Sequence, residues 1–322
     1  MNKRPLIILT GPTSVGKTEL SISLAKAVNG EIISADSMQV YRKMDIGTAK
    51  ITPEEMAGVK HHLIDVLDPS EDFNVFLFQE LARKAMEEIY DRGHVPILTG
   101  GTGFYIQSIL YEIDFTTDDG DTTYRQELEL LAADRGAEFL HDMLKEVDPE
   151  SAEEIHYNNV KRVIRALEYY HQTGEKISKH NKEQRQKESP YNFAYFVLND
   201  ERAKIYDRIN RRVDIMVEKG LIEEVSNLVK EGYTKELVSM QGLGYKEIID
   251  YLNGEITLDE AIYIIKRDTR HFAKRQLTWF GRERDVIFVN KNEFNYDTEA
   301  TLDYMLECLQ KRQIIEDVNN EQ

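Results

Sequence analysis

A run of four apolar residues, Leu6-Ile7-Ile8-Leu9, leads directly into Gly11-Pro12-Thr13-Ser14-Val15-Gly16-Lys17-Thr18, which fits the G-x-x-x-x-G-K-[ST] phosphate loop. Few local patterns constrain a fold as tightly. The glycines permit a tight turn whose successive N–H groups converge on one concavity. Lys17 brings a positive charge to it, and Thr18 offers a hydroxyl to a phosphate-bound Mg2+. Such a loop needs a strand before it and a helix after it, and here the apolar run precedes it and a helical pattern from Glu19 to Ala27 follows. The chain is therefore expected to handle a phosphorylated ligand at the rim of an α/β sheet.

The sequence continues in kind. Strands are predicted at 5–10, 31–34 and 95–99, helices at 17–28, near 53–58, at 74–92 and at 103–110, and a short segment at 61–66. Strands separated by helices make a mostly parallel sheet covered on both faces, which binds ligands beyond its carboxyl edge. The expected fold class is α/β, a P-loop NTPase-like parallel sheet flanked by helices. After Tyr111 the pattern changes: Thr116-Thr117-Asp118-Asp119-Gly120-Asp121 is turn-like, and the periodicity from Tyr124 to about Tyr170 is helical without strand-like runs. Residues 115–192 are thus read as a mainly helical insertion, and 1–114 with 193–322 as the core. Strand character returns from Tyr191 to Leu198, followed by helices at 201–218 and 221–231. A long helix from Leu258 to Phe280 carries Ile265, Phe272 and Trp279 at seven-residue spacing, a packing stripe, with Arg267, Arg270 and Lys274 on another face. A strand from Asp285 to Val289 and a helix from about 298 complete the pattern.

No apolar run reaches the roughly 18 residues of a membrane span, and no targeting segment is apparent at the N-terminus, so a cytoplasmic protein with no membrane partner is expected. Its single cysteine, Cys308, rules out an internal disulfide and any cysteine-based metal cluster. The histidines, including neighbours His61 and His62, follow no metal-ligand spacing and are read as structural or exposed. The formal charge of -17 argues against nucleic acid by total, but not by distribution. Eight Lys or Arg face three acids between Lys161 and Lys187, five face one between Arg202 and Arg212, and seven face two between Lys266 and Arg284. A charge run alone is usually a solvated face; three of them beside a catalytic loop suit a local positive groove.

Two further sites belong to the same rim. Asp36 follows the second strand in Ser34-Ala35-Asp36-Ser37-Met38-Gln39-Val40-Tyr41. It either caps the next turn, accepting from the N–H of Met38 or Gln39, or turns its carboxylate toward a group bound at the phosphate loop. The strand at 95–99 leads into Thr99-Gly100-Gly101-Thr102, where a nucleoside triphosphatase would often place the acid that holds its metal through water. Glycines allow a second close backbone approach to ligand there, and Thr102 can donate a hydroxyl, unless the segment is only a glycine-rich helix start.

These blocks, together with Met44-Asp45-Ile46-Gly47-Thr48-Ala49-Lys50, Asn159 to Glu168, Gly242-Leu243-Gly244-Tyr245-Lys246-Glu247 and Arg275-Gln276-Leu277-Thr278-Trp279-Phe280, resemble the tRNA dimethylallyltransferase family over nearly the whole chain. The resemblance implies transfer of a dimethylallyl group from dimethylallyl diphosphate to N6 of adenosine 37, beside the anticodon, in tRNAs reading codons that begin with U. It also explains the missing acid, because the loop must then hold a diphosphate leaving group rather than support phosphoryl transfer. It implies Asp36 as general base, Lys17, Thr18 with Mg2+ and Arg212 as stabilisers of the diphosphate, and Thr102 in the catalytic set. Gly11 to Thr18 would form the diphosphate cradle, with Arg208 beside Arg212 on one helix face; which of Arg208, Arg211 and Arg212 reaches the ligand stays open.

By the same resemblance Asp36, Ser37, Met38, Gln39, Thr102, Arg125, Lys161, Arg162, Val163, Ile164 and Arg165 approach the tRNA anticodon stem-loop, and the insertion is expected to contact it. Tyr41 and Tyr245 either stack on bases or simply pack. Val15 stands where a small serine is frequent in the family; its amide is unchanged, so little loss of anion binding is expected. A monomer is expected. The competing readings are a nucleotide or small-molecule kinase, a prenyltransferase acting on free adenine nucleotides, and a non-catalytic RNA-binding protein.

Overall fold

The computed structural model describes residues 3–115 and 123–316. The turn-like stretch from Thr116 to Asp121 lies outside them. In chain order the elements are β1 (Arg4–Thr10), α1 (Lys17–Ala27), β2 (Gly30–Ala35), α2 (Pro53–Met56), β3 (His61–His62), α3 (Val75–Asp91), β4 (Val95–Gly100) and α4 (Gly103–Leu110). There follow α5 (Thr123–Arg135), α6 (Ala137–Val147), α7 (Pro149–Glu154), α8 (Val160–Thr173) and α9 (Ile177–Gln186). The chain continues with β5 (Tyr191–Asn199), α10 (Arg202–Glu218), α11 (Leu221–Lys230), α12 (Tyr245–Leu252), α13 (Leu258–Phe280), β6 (Val286–Asn290) and α14 (Thr298–Lys311).

The chain forms two compact units, Met1–Leu110 with Pro190–Gln322, and Tyr111–Ser189. The sequence places the far boundary at 192. The structure moves it back because Tyr191 and Asn192 already pair with Arg4 and Pro5 in the core sheet.

The core sheet has six parallel strands in the order β3-β2-β4-β1-β5-β6. β1 is central, and Leu6, Ile7, Ile8 and Leu9 are fully buried, as a strand covered on both faces requires. On one face Ile7, Leu9, Ile32, Ile97 and Phe196 meet Leu20 and Leu24 of α1 and Met305 and Leu309 of α14. An aromatic group, Tyr41, Phe73, Phe78 and Tyr105, packs with α3 and α4, the last two rings stacked at 4.4 Å. The expected segment at 61–66 contracts to two residues, since Leu63 and Asp65 turn left-handed (φ 63° and 56°) and leave the ladder. Buried Glu31, at the amino end of β2, binds Arg92 through two hydrogen bonds of 2.7 Å and also takes His62 at 2.6 Å and His94 at 2.8 Å. Burial pushes its carboxyl up, yet these donors prevail and hold it at about 2. Both neighbouring imidazoles thus serve the fold.

In α13 the seven-residue stripe drifts. Ile265 is buried, Phe272 half-buried and Trp279 exposed, while Ala273, Gln276 and Phe280 take the inner positions. A straight helix turns about 20° per heptad relative to a 3.5-residue repeat, so a seven-residue spacing walks off the seam.

In the second unit the helices close over Leu128, Leu140, Leu144, Val163, Ile164 and Leu167. Buried Asp148 accepts from the amides and hydroxyls of Ser151 and Ser178 at 2.7–3.2 Å, tying α7 to α9.

Candidate functional site

Parallel pairing puts four loops side by side at the carboxyl edge of the core sheet. β2 ends at Ala35 beside Gly100 of β4, Thr10 of β1 also faces Gly100, and β5 lies on the other side of β1. Asp36, Thr102, the Gly11–Thr18 loop and Asp200 therefore follow one another along a single rim. Contact this close demands glycine: a Cβ on Gly100 would stand 2.2 Å from the Ala35 carbonyl oxygen, and one on Gly11 (φ 145°) 2.2 Å from that of Leu198.

The loop is braced on both flanks. The Thr13 amide donates to Gln276 Oε1 at 2.8 Å, and Gln276 Nε2 donates to the Gly101 carbonyl at 3.0 Å, so one buried side chain of α13 links the loops after β1 and β4. Arg208 Nε donates to the Ser14 carbonyl at 2.9 Å while its Nη2 reaches Asp200 Oδ2 at 2.6 Å. Arg208, expected as a diphosphate ligand, is thereby a brace of the loop backbone. Arg211 is exposed and paired with Asp207. Arg212 makes no ion pair among the described residues and lies close enough to Lys17 to oppose its charge. Val15 is buried in the core cluster below the loop, which accounts for its apolar side chain.

Lys17 Nζ donates to the carbonyls of Gly11 and Pro12 at 3.0 and 2.9 Å, its own loop standing in for an anion. Burial first, then the Arg212 charge, lower its pKa to about 8, with Asp36 opposing them. That coupling joins Lys17, Arg212 and Asp36 in one electrostatic group. Gly16 caps α1 with no side-chain hydrogen bond, leaving the first helical amides to a ligand. Thr18 is exposed, and its hydroxyl makes no hydrogen bond among the described residues. No group of three or more His, Cys, Asp or Glu suited to a metal occurs among the described residues, so any Mg2+ at Thr18 would be completed by phosphate oxygens and water.

Asp36 Oδ1 accepts from the amides of Met38 at 2.8 Å and Gln39 at 3.3 Å. The capping role is real, but it engages one oxygen and leaves Oδ2 for a ligand. The Thr102 amide donates to the Ala35 carbonyl at 3.2 Å, which ties the backbone of the two loops together one residue before Asp36. Gln39 Nε2 turns back to the carbonyls of Thr48 and Ala49, each at 3.3 Å, and so supports the following loop.

That loop has a partner unforeseen from the sequence. Glu224 of α11 accepts from the amides of Asp45, Ile46 and Gly47 at 2.7–3.0 Å and from the Tyr245 hydroxyl at 2.7 Å. The Tyr245 ring lies where a Cβ on Gly47 would be, 2.5 Å away, and the flexible end of Met38 rests on Gly242. Tyr41 and Tyr245 are 0% and 1% exposed, which makes both of them packing residues rather than base-stacking platforms.

In the helical unit, Lys161 and Arg162 are exposed and Arg165 half-exposed on α8. Val163 and Ile164, expected within the RNA-contacting segment, are 0% and 4% exposed; their side chains form this unit's core, so any contact there falls to their neighbours. Arg125 pairs with buried Glu168 at 2.8 Å and links α5 to α8.

The sequence profile of the IPP transferase family matches residues 39–283. A tRNA dimethylallyltransferase of Lachnoclostridium phytofermentans is 62% identical over 312 residues, 97% of this chain and 99% of that one. The tRNA dimethylallyltransferase of Acetivibrio thermocellus is 53% identical over 91% of this chain and 93% of that one. Among solved structures, the tRNA isopentenylpyrophosphate transferase of Bacillus halodurans shares 47% identity with a TM-score of 0.72, covering 97% of this chain and 98% of that one. A eukaryotic dimethylallyltransferase acting on tRNA superposes with a TM-score of 0.83 at 29% identity, covering 98% of this chain and 81% of that one.

Proposed function

Since this chain belongs to the IPP transferase family, we propose that it transfers the dimethylallyl group of dimethylallyl diphosphate to N6 of adenosine 37 in tRNAs reading UNN codons. The observation that carries this reading is the register of the sheet, which sets the phosphate loop after β1 and Asp36 after β2 on either side of Gly100, so that a carboxylate stands across the rim from Lys17. A kinase needs an acid or equivalent metal anchor at the end of β4, where this chain has Thr99-Gly100-Gly101-Thr102.

In the reaction, the C1–O bond of the allylic diphosphate breaks with its electron pair leaving on the diphosphate, and the N6 lone pair forms the new C1–N bond. Asp36 Oδ2 accepts the N6 proton; its held Oδ1 fixes the carboxylate's direction. The loop amides, Lys17 and Arg212 meet charge as it collects on the leaving group. Mg2+, held at the Thr18 hydroxyl and phosphate oxygens, would supply further charge neutralisation when bound. Adenosine 37 must turn out of its stack to reach Asp36, with Ser37 and Thr102 nearby and Lys161, Arg162 and Arg165 on RNA phosphates. The protein is proposed to work as a cytoplasmic monomer.

The test is a mass-resolved assay with dimethylallyl diphosphate, Mg2+ and an unmodified anticodon stem-loop carrying A36 and A37, with AMP and ATP reactions in parallel. A gain of about 68 Da, one hydrogen replaced by C5H9, on A37 alone is expected. An adduct on free nucleotide instead assigns the mononucleotide acceptor. ATP-dependent phosphate transfer without adduct assigns a kinase.

A further inference from the structure

Beyond β1 from Asp36, the rim ends in a cation that the mechanism leaves idle. Lys291 directly follows β6, and its Nζ lies 3.1 Å from where a Cβ on Gly16 would stand, against the phosphate loop itself. Lys291 is half-buried and makes neither an ion pair nor a side-chain hydrogen bond among the described residues. Glu293, the nearest acid in sequence, is bonded to Asn290 at 2.9 Å.

An unpartnered hydroxyl belongs to the same loop. Ser14 is 8% exposed with its Oγ buried and without a hydrogen bond, and a hydroxyl can donate to an anion. A buried hydroxyl and an ammonium without partners cost free energy unless a ligand completes them. With the uncapped amides of α1, they give the loop donors for an anion, and Asn199 Nδ2, donating to Asn290 Oδ1 at 3.0 Å, fixes the strand end that carries Lys291.

We propose that Lys291 is a diphosphate-binding residue that holds the terminal phosphate of the prenyl donor. The inference rests on the proposed function and extends it. The sheet order sets the direction: Asp36 follows β2, on one side of the loop after β1, and Lys291 follows β6, on the other. The reacting C1–O bond must face Asp36, so the phosphate that bears it lies toward β2 and the terminal phosphate toward β6. Lys291 then neutralises the charge that the terminal phosphate already carries, so that the phosphate nearer Asp36 can better accept the electron pair of the breaking C1–O bond.

Titration calorimetry with inorganic pyrophosphate and with orthophosphate, each with Mg2+, tests this on wild type, Lys291→Met, Lys291→Gln and Lys291→Arg. The two neutral variants are expected to bind pyrophosphate about tenfold more weakly, the scale of one charge-assisted hydrogen bond, and orthophosphate as wild type does. Lys291→Arg stays within about threefold of wild type, and stem-loop RNA affinity is unchanged throughout. Unchanged pyrophosphate affinity in both neutral variants, or an equal loss for orthophosphate, overturns the inference while leaving the proposed function standing. Wild-type protein that binds neither anion overturns both. Two neutral variants keep a folding defect in one from deciding the result.

Discussion

Lys17 bonded to its own loop has a measurable consequence. Its pKa near 8 in the ligand-free protein means the ammonium is mostly intact at neutral pH and is lost as pH rises through that value. A bound diphosphate favours the charged form and raises the pKa, so affinity is full below about pH 8 and declines above it, by up to about tenfold per pH unit. Pyrophosphate titrations between pH 7 and 9.5 should show this fall; a flat profile means that Lys17 does not carry the anion. Asp36 admits a cleaner substitution than alanine, because Asp36→Asn keeps an acceptor for the Met38 and Gln39 amides while removing the base. Single-turnover transfer should drop about 10²- to 10⁴-fold with RNA affinity unchanged. Turnover near wild type with weakened RNA binding makes Asp36 a binding residue only. Both residues were legible from local sequence, since each stands within a few positions of a strand end. Gln276 was not: its two hydrogen bonds cross the chain, and its one sequence signal is a polar residue on the buried side of α13.

At the scale of elements, the loop following Asp36 is held by α11 and α12 rather than by its own residues. Glu224 serves three of its amides and the Tyr245 hydroxyl. Glu224→Ala should therefore lower unfolding stability by about 2 kcal/mol and slow transfer, whereas diphosphate affinity, set at the loop after β1, should stay within about twofold in calorimetry. A loss of diphosphate affinity equal to the loss of transfer argues against separate support of the acceptor side. The strands and most helices were readable because their burial is periodic, and β1 through β6 fall within about two residues of expectation apart from the contracted β3. Glycine positions were readable as turns but not as contacts. Nothing near Gly47 announces the Tyr245 ring, nor does anything near Gly100 announce the Ala35 carbonyl, because both neighbours arrive through tertiary packing.

For the molecule as a whole, the net charge of -17 conceals a partition. In the core unit several basic residues are spent internally, Arg92 on Glu31, Arg208 on Asp200 and Lys266 on Asp214. In the helical unit Arg125 is spent on Glu168, Lys182 on Glu150 and Lys187 on Asp114, whereas Lys161 and Arg162 remain exposed. Arg162→Ala should weaken stem-loop binding and reduce the slope of log affinity against log salt by about 0.7–0.9, one phosphate contact; an unchanged slope removes Arg162 from the RNA surface. Clusters of basic residues were visible in the sequence, but which members are already neutralised depends on partners far along the chain.

The long sequence separation between the phosphate loop and its braces also sets a timetable for biosynthesis. A ribosome that has delivered the first 200 residues has produced the entire loop motif, Asp36 and Thr102, yet neither Arg208 nor Gln276 exists to support Ser14 and Thr13. The nascent protein therefore carries the phosphate loop and the general base while lacking both Arg212, the second cation of the site, and the scaffold that arranges the loop. The braced loop requires both α10 and α13 to be translated and docked, which places its completion after residue 280 of 322.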